Sequence, residues 1–108
     1  MKWQALILTF MLLTMNSVAI AGEKKPLVTI KNFKFIPQEI TIKRGQTLRW
    51  ENREKRQFHS VWFEALGEEE TDYFFPDEFY EREFKQTGSF PYRCGPHPEM
   101  TGIVHVID

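Results

Sequence analysis

The sequence predicts an all-β protein, a β-sandwich of about seven to eight strands. Several short segments alternate apolar and polar residues with a period of two, which is typical of strands with one buried face. Turn signals separate these segments, among them Arg44-Gly45-Gln46 and Thr87-Gly88-Ser89. Four prolines also disfavour helix where they stand: Pro37, Pro91, Pro96 and Pro98. The pattern alone is compatible with a sandwich or with a small barrel.

Seven segments are predicted as strands, in the order 27–31, 40–43, 47–51, 58–63, 79–84, 90–93 and 103–107. In the first, Val28 and Ile30 share one face, and in the third Leu48 and Trp50 point inward. The fourth is included because it is rich in aromatic and β-branched residues. Residues 64–75 have room for one turn of helix at most, because Gly67 and Pro76 limit it.

The first 21 residues are interpreted as a secretory signal peptide. Lys2 supplies a positive start, an apolar run extends from Ala5 to Met15, and Ala19-Ile20-Ala21 forms a small-x-small cleavage site. The apolar run is well short of the roughly 20 residues that a membrane-spanning helix needs. We therefore expect cleavage after Ala21, a single domain over residues 22–108, and a soluble periplasmic protein without stable membrane insertion.

Composition excludes two classes of protein. The chain has 14 Lys and Arg against 15 Asp and Glu, so it lacks the basic footprint of a non-specific nucleic-acid binder. A single cysteine excludes an internal disulfide. The charges are unevenly spread, since residues 64–83 are strongly acidic and residues 43–56 are mainly basic. These are either two solvated faces or a docking patch that steers a charged partner.

The chemistry is concentrated in a Cys-x2-His-x2-Met segment formed by Cys94, His97 and Met100, with His59 35 residues upstream of the cysteine. Without residues 1–21, Cys94 and Met100 are the only sulfur-containing residues. Two imidazoles, a thiolate and a weak axial thioether are the ligands of a blue-copper electron-transfer site. The soft sulfur ligands suit Cu(I) and imidazole suits both oxidation states, so a mixed set needs little rearrangement.

Each of these residues also has a plainer interpretation. A free cysteine is often a small buried hydrophobe, and a lone histidine is more often a surface or core residue than a ligand. The clustering of a cysteine, a histidine and a methionine within seven residues, with a second histidine upstream, favours a metal site. Zinc is the alternative, but it usually takes four Cys or His ligands and would need Met100 or His105. His105 is predicted at the surface, because its neighbours Val104 and Val106 face inward.

Taken together, these segments resemble the cupredoxins, and most of all the amicyanin and plastocyanin branch. Residues 33–52 are similar to the family's strand-turn-strand approach to the first histidine, and residues 88–102 resemble its ligand loop, with the short amicyanin spacing before the methionine. The resemblance implies a Greek-key β-sandwich with one type 1 copper ion at one end. Its implied ligands are the imidazoles of His59 and His97, the thiolate of Cys94 and the axial thioether of Met100.

The resemblance also implies finer details. Ser60 stands where many relatives have Asn, and its backbone N–H is expected to donate to the Cys94 sulfur. Pro96 has no N–H and cannot supply a second such bond. The chain departs from the family pattern at Glu51, where an apolar or small residue is usual, and in the acidic segment 64–72, which has no clear counterpart in amicyanin.

Three functions are compatible with such a site. The first is an electron carrier between redox partners, with a c-type cytochrome or a periplasmic dehydrogenase as the candidate partner. The second is a periplasmic copper-handling or copper-delivery protein. The third is a copper enzyme, which needs an open coordination position that Met100 would fill. We therefore predict a monomeric electron carrier that is not an enzyme and has no nucleic-acid partner.

Overall fold

The computed structural model describes residues 25–108, in which seven strands form two sheets. The strands are β1 (Leu27–Lys31), β2 (Lys34–Ile36), β3 (Glu39–Lys43), β4 (Thr47–Asn52), β5 (Phe79–Glu83), β6 (Gly88–Arg93) and β7 (Thr101–Ile107). The predicted signal peptide lies outside the described residues. None of the helices in residues 25–108 has the length and hydrophobicity of a membrane-spanning segment.

The two sheets have the strand orders β2-β1-β4-β5 and β3-β7-β6. The pairs β1 with β4 and β3 with β7 are parallel, and the other neighbours are antiparallel. The chain therefore passes from one sheet to the other after β2, after β3 and after β5. The all-β sandwich expected from the sequence is confirmed.

The core lies between the sheets, where alternate residues of each strand are buried. Val28 and Ile30 of β1 and Trp50 of β4 face Val104 of β7 in one continuous apolar cluster. The Trp50 ring meets the ring of Tyr92 edge to face across the sandwich, with 5.5 Å between the centroids. Period-two alternation predicted these strands correctly because each buries one face.

The segment 58–63 was predicted as a strand, and that prediction is wrong. Its backbone N–H groups bond to several different segments: His59 to the carbonyl of Phe74, Trp62 to the carbonyl of Arg93, and Val61 to the side chain of Thr71. No single neighbour runs alongside it, so only isolated bridges form instead of a ladder. This irregular course allows the segment to bond both to the later part of the β4–β5 connection, at Thr71 and Phe74, and to Arg93 at the end of β6.

Two short elements complete the fold. Strand β2 was not among the predicted strands, because three residues are too few to show a periodic pattern. It pairs with β1 through a turn in which Asn32 and Phe33 have positive φ angles of 52° and 57°. The single helical turn expected after residue 63 is a 3-10 turn over Glu64–Leu66. Gly67, which was expected to limit this turn, ends it in the left-handed conformation that glycine adopts readily.

Candidate metal centre

Three of the predicted ligands meet at the end of the sandwich formed by the connections that follow β1, β4 and β6. The ligand atoms of His59, Cys94 and His97 all lie within 4.8 Å of one another. Cys94 Sγ is 3.6 Å from His59 Nδ1 and 3.4 Å from His97 Nδ1. His59 and Cys94 are completely buried, whereas His97 is half-buried. The fold thus joins residues that are 35 positions apart in the chain.

Met100 belongs to the same loop between β6 and β7. The Cys94 N–H donates to the Met100 carbonyl at 3.0 Å, and the Met100 N–H donates to the His97 carbonyl at 2.9 Å. These two bonds close the loop on itself, and the Met100 side chain is buried in the core cluster. Pro96 and Pro98 stiffen the loop around His97 because each fixes its own φ and restricts the residue before it.

The Cys94 sulfur receives the hydrogen bond that the sequence implied. The Ser60 backbone N–H donates to Sγ at 3.4 Å. Burial raises the pKa of the Cys94 thiol, and the Ser60 N–H only partly opposes this. The metal-free protein therefore carries a protonated thiol at neutral pH, and metal binding has to release that proton.

His59 is oriented by a carboxylate that the sequence analysis did not identify. Its Nε2 lies 3.0 Å from Oε2 of Glu54, whose side chain is only 8% exposed. Because a carboxylate accepts hydrogen bonds, the histidine proton is assigned to Nε2, which leaves the Nδ1 lone pair directed at the cluster. Burial lowers the pKa of His59, which keeps the ring in the neutral form that a metal requires.

Glu54 is itself held by the turn between β1 and β2. Its carboxylate accepts the backbone N–H groups of Asn32 at 3.1 Å and Phe33 at 2.8 Å. Burial would raise the pKa of Glu54, but these bonds and the contact with His59 outweigh it and hold the pKa below its usual value. The carboxylate therefore stays ionised and connects the first histidine to the turn.

Asn52 shapes the path from β4 to His59. It is completely buried, and its Nδ2 donates to the carbonyls of Gln57 at 2.9 Å and Phe74 at 3.0 Å. Its Oδ1 accepts the Glu54 N–H at 2.9 Å. All its polar atoms are thus used to fold the residues that lead to the histidine, which explains why a polar side chain is tolerated in the core.

His97 presents the accessible edge of the cluster. The ring of Phe33 packs edge to face against it, with 5.0 Å between the centroids, and also contacts the His59 ring at 5.7 Å. Phe33 is 45% exposed. An exposed aromatic ring thus lies beside the one histidine of the cluster that solvent reaches.

His105 lies apart from the cluster, on the outer face of β7. It contacts the Ser89 hydroxyl at 2.8 Å and Glu39 at 2.9 Å, and its side chain is 33% exposed. The prediction that it is a surface residue is confirmed.

Many of the charges in the acidic segment 64–83 are paired inside the domain. Arg93 binds Glu64 and Arg82 binds Glu68. The basic segment contributes as well, since Arg49 pairs with Glu81 and Arg53 pairs with Asp77. Glu51 pairs with Arg49 and Arg53 of the basic segment. In the acidic segment, Glu70 accepts the Ser60 hydroxyl and Glu78 accepts the Phe75 N–H. The two charged segments therefore neutralise each other in part.

Glu54, Asn52 and Glu70 are the site residues that sequence reasoning missed. All three stand outside the Cys-x2-His-x2-Met segment, and two of them are ordinary acidic residues in a charged connection. The one available signal was Asn52, a polar residue at an inward-facing position of the alternating β4 segment.

Comparison of the sequence with known proteins identifies a family and several relatives. A family model for cupredoxin-like domains matches residues 4–106. Amicyanin from Paracoccus versutus is 37% identical over 84 residues, which cover 74% of this chain and 63% of that protein. Amicyanin-alpha from Methylorubrum extorquens is 35% identical over 83 residues, 73% of this chain and 69% of the relative. Amicyanin from Paracoccus denitrificans is 36% identical over 84 residues, 74% of this chain and 63% of that protein. The match thus spans less than two thirds of the length of both Paracoccus amicyanins.

Solved structures agree with the fold. The crystal structure of amicyanin from Paracoccus versutus has a TM-score of 0.69 and 33% identity, and the match covers 82% of this chain and 89% of that one. A reduced Cu(I) form of an amicyanin mutant at pH 4 has a TM-score of 0.70 and 31% identity, over 79% of this chain and 84% of that one.

Proposed function

The chain belongs to the family of cupredoxin-like domains, and on that premise we propose that it is a small type 1 (blue) copper protein that carries one electron at a time between redox partners. The observation that supports this most directly is the convergence of the His59, Cys94 and His97 ligand atoms within 4.8 Å. The proposed ligands are these three residues and, as the weak axial ligand, Met100.

The donor set fits copper. The Sγ–Nδ1 separations of 3.6 Å and 3.4 Å suit one shared ion, given bonds of about 2.0–2.3 Å as known for zinc with the same ligand types. Distance alone does not choose the metal, but donor softness does: a thiolate and a thioether beside two imidazoles favour copper over zinc. When bound, copper supplies a one-electron couple between Cu(II) and Cu(I).

The residues around the cluster suit a carrier more than an enzyme. Glu54 holds His59 in one tautomer, and the prolines with the Cys94–Met100 backbone bond hold the loop, so the ligands are in place before and after the electron moves. The half-buried edge of His97, beside Phe33, is the proposed port for the electron. A small apolar contact of this kind suits the brief encounters of electron-transfer partners.

We further propose that residues 1–21 are a cleaved signal peptide, that residues 22–108 form one domain, and that the protein works in the periplasm with a c-type cytochrome or a periplasmic dehydrogenase. Because many carboxylates of segment 64–83 are paired internally, electrostatic steering by this segment should be modest. Transfer rates should therefore fall only weakly as ionic strength rises. A steep fall would show that an unpaired charged face guides the partner.

The alternative, a copper-delivery protein, uses the same ligands but needs a site that exchanges its metal. The half-buried His97 is the feature that favours it, because a competing ligand could approach from that side. Copper release to a chelator distinguishes the two functions. Release over many hours together with reversible one-electron redox supports the carrier, and release within minutes supports delivery.

The visible spectrum of the copper-loaded, oxidised protein tests the proposal. An intense red absorption from thiolate-to-copper charge transfer is expected, and Cys94→Ser should abolish it. His97→Ala should change or remove the band, whereas His105→Ala is the matched control and should leave it intact, because His105 lies on the outer face of β7. A wild-type protein that binds copper without this band would refute the type 1 site.

A further inference from the structure

Glu70 reaches from the acidic connection between β4 and β5 to the first residues of the metal-ligand loop. Its Oε2 accepts the Ser60 hydroxyl at 2.6 Å, and the Ser60 Oγ in turn accepts the Gly95 N–H at 2.8 Å. The Ser60 backbone N–H donates to Cys94 Sγ. One serine thus joins the Glu70 carboxylate to Cys94 and to the residue that follows it.

The direction of these hydrogen bonds is determined by Glu70. A serine hydroxyl has a single proton, and an ionised carboxylate can only accept. Once the Ser60 proton is donated to Glu70, a lone pair of the serine oxygen is left for the Gly95 N–H. Without the carboxylate the hydroxyl could rotate, and only the bond from the Gly95 N–H would favour the orientation of the serine lone pair.

Gly95 provides the space for the carboxylate. Its φ is not in the left-handed region, so its backbone conformation does not require glycine. A Cβ at this position would instead overlap the Glu70 carboxylate, with Oε2 as the nearest atom and Oε1 at 2.7 Å. The Glu70 carboxylate therefore occupies the place that a side chain of residue 95 would take.

The residues on both sides of Glu70 are anchored. The Glu68 carbonyl accepts the Trp62 indole N–H at 2.8 Å, and the Glu68 carboxylate forms two bonds with Arg82. On the other side, the Thr71 hydroxyl accepts the Val61 N–H at 2.9 Å. Glu70 therefore extends from a segment held to the domain at two points, which allows it to position another group.

We propose that Glu70 is a positioning residue for the Cys94 ligand, acting through Ser60, and that its negative charge lowers the reduction potential of the site. This inference rests on the proposed copper function. A carboxylate beside the ligand loop favours the more positive Cu(II) state over Cu(I) by simple Coulomb attraction. The hydrogen bonds through Ser60 favour one position of the backbone at Cys94 and Gly95, which supports tight metal binding.

The first test needs no metal. Amide exchange at Gly95, measured by NMR on the metal-free protein, should accelerate up to about tenfold in Glu70→Ala, because the N–H loses its oriented acceptor. Glu70→Gln, which keeps an acceptor oxygen, should accelerate it less. Glu69→Ala is the matched control, an exposed neighbour with the same charge, and should leave exchange unchanged. Unchanged exchange in Glu70→Ala would overturn the proposal.

The second test uses the copper-loaded protein. Glu70→Ala should lower copper affinity by about 10- to 100-fold and alter the charge-transfer band. Both Glu70→Ala and Glu70→Gln should raise the reduction potential by more than Glu69→Gln does. If Glu70→Ala lowers only the unfolding temperature and leaves potential and band unchanged, the residue is merely structural and the proposal fails.

Gly95→Ala supplies an independent variant. Its new methyl group should displace the Glu70 carboxylate and reproduce the loss of copper affinity seen in Glu70→Ala. Because the Glu70 charge is kept, the potential should rise less than in Glu70→Ala. The double variant should bind copper no more weakly than the weaker single variant. Additive losses would refute the inference. A wild-type protein without the blue band would overturn the copper function, while the metal-free exchange measurement would still decide whether Glu70 orders Gly95.

Discussion

Replacing Glu54 by glutamine tests how much the orientation of His59 depends on the Glu54 carboxylate. Glu54 accepts three N–H groups, those of Asn32, Phe33 and His59, at 2.8–3.1 Å. Glutamine has almost the same size, but it offers one oxygen and one NH2 group. At least one of the three N–H groups must then face another donor, or His59 must change its tautomer.

The expected loss of stability follows from these contacts. A hydrogen bond to a charged group contributes about 1.5–3 kcal/mol, so the loss of one destabilises the metal-free domain by about that amount. For a domain of this size the unfolding temperature should fall by about 6–24 °C. Copper affinity should fall as well, by about 10- to 100-fold, because a proton moved to Nδ1 of His59 would block the nitrogen that faces Cys94.

Thermal and urea unfolding of the metal-free protein measure the first effect, and chelator competition measures the second. Glu39→Gln is the matched control, because Glu39 also contacts a histidine, His105 at 2.9 Å, but at the exposed surface of the domain. Surface pairs contribute little, so this variant should change stability by less than about 1 kcal/mol. Equal losses in the two variants, or wild-type stability in Glu54→Gln, would refute the reasoning.

Three further predictions concern other parts of the domain. Burial would raise the pKa of Glu51, but Arg53 and Arg49 lower it below its ordinary 4.5. The ionised Glu51 therefore stabilises the fold fully above about pH 5, and this contribution is lost as the pH falls further. Glu51→Gln should flatten the acid side of the curve of unfolding free energy against pH, measured by urea titration. A steeper acid limb would contradict this. Gly102→Ala should lower the free energy of unfolding by about 1–3 kcal/mol, because its Cβ would lie 2.5 Å from the buried Tyr92 ring. An unchanged temperature of thermal unfolding would show that the ring moves freely. Phe33→Ala should slow electron self-exchange, measured by NMR line broadening, while the visible band persists, and loss of the band instead would assign the ring a role in holding the metal.

Sequence patterning predicted the strands that bury one face, and it failed where burial is not periodic. The segment 58–63 is apolar enough for a strand, but its N–H groups are shared among Phe74, Thr71, Arg93 and the Cys94 sulfur. Such a division depends on which segments pass nearby, and it leaves no trace in local composition. Strand β2 was missed because it has only three residues, too few to show alternation, and because its pairing depends on a preceding turn with positive φ angles.

The same distinction applies to the site. His59, Cys94 and His97 could be predicted because their chemistry is rare in the chain, and the structure brings them together. Glu68, Glu69 and Glu70 look identical in sequence, as one run of solvated charge. In the fold Glu68 binds Arg82, Glu69 is exposed and Glu70 binds Ser60, so only tertiary distance separates a surface charge from a group beside the ligand loop.

Both carboxylates that support the site come from the connection between β4 and β5 and not from the ligand loop. Glu54 acts on the imidazole of His59 directly, and Glu70 acts on Cys94 through Ser60. The proposed thiolate ligand and the proposed first imidazole ligand are thus each supported by a carboxylate from residues 53–78. If copper binds as proposed, this connection can shift the affinity and potential of the site while every ligand stays the same. Differences in potential between this chain and relatives that share its ligands should therefore follow substitutions at Glu54, Ser60 and Glu70 more closely than substitutions at the exposed positions Pro98 and Glu99 of the loop.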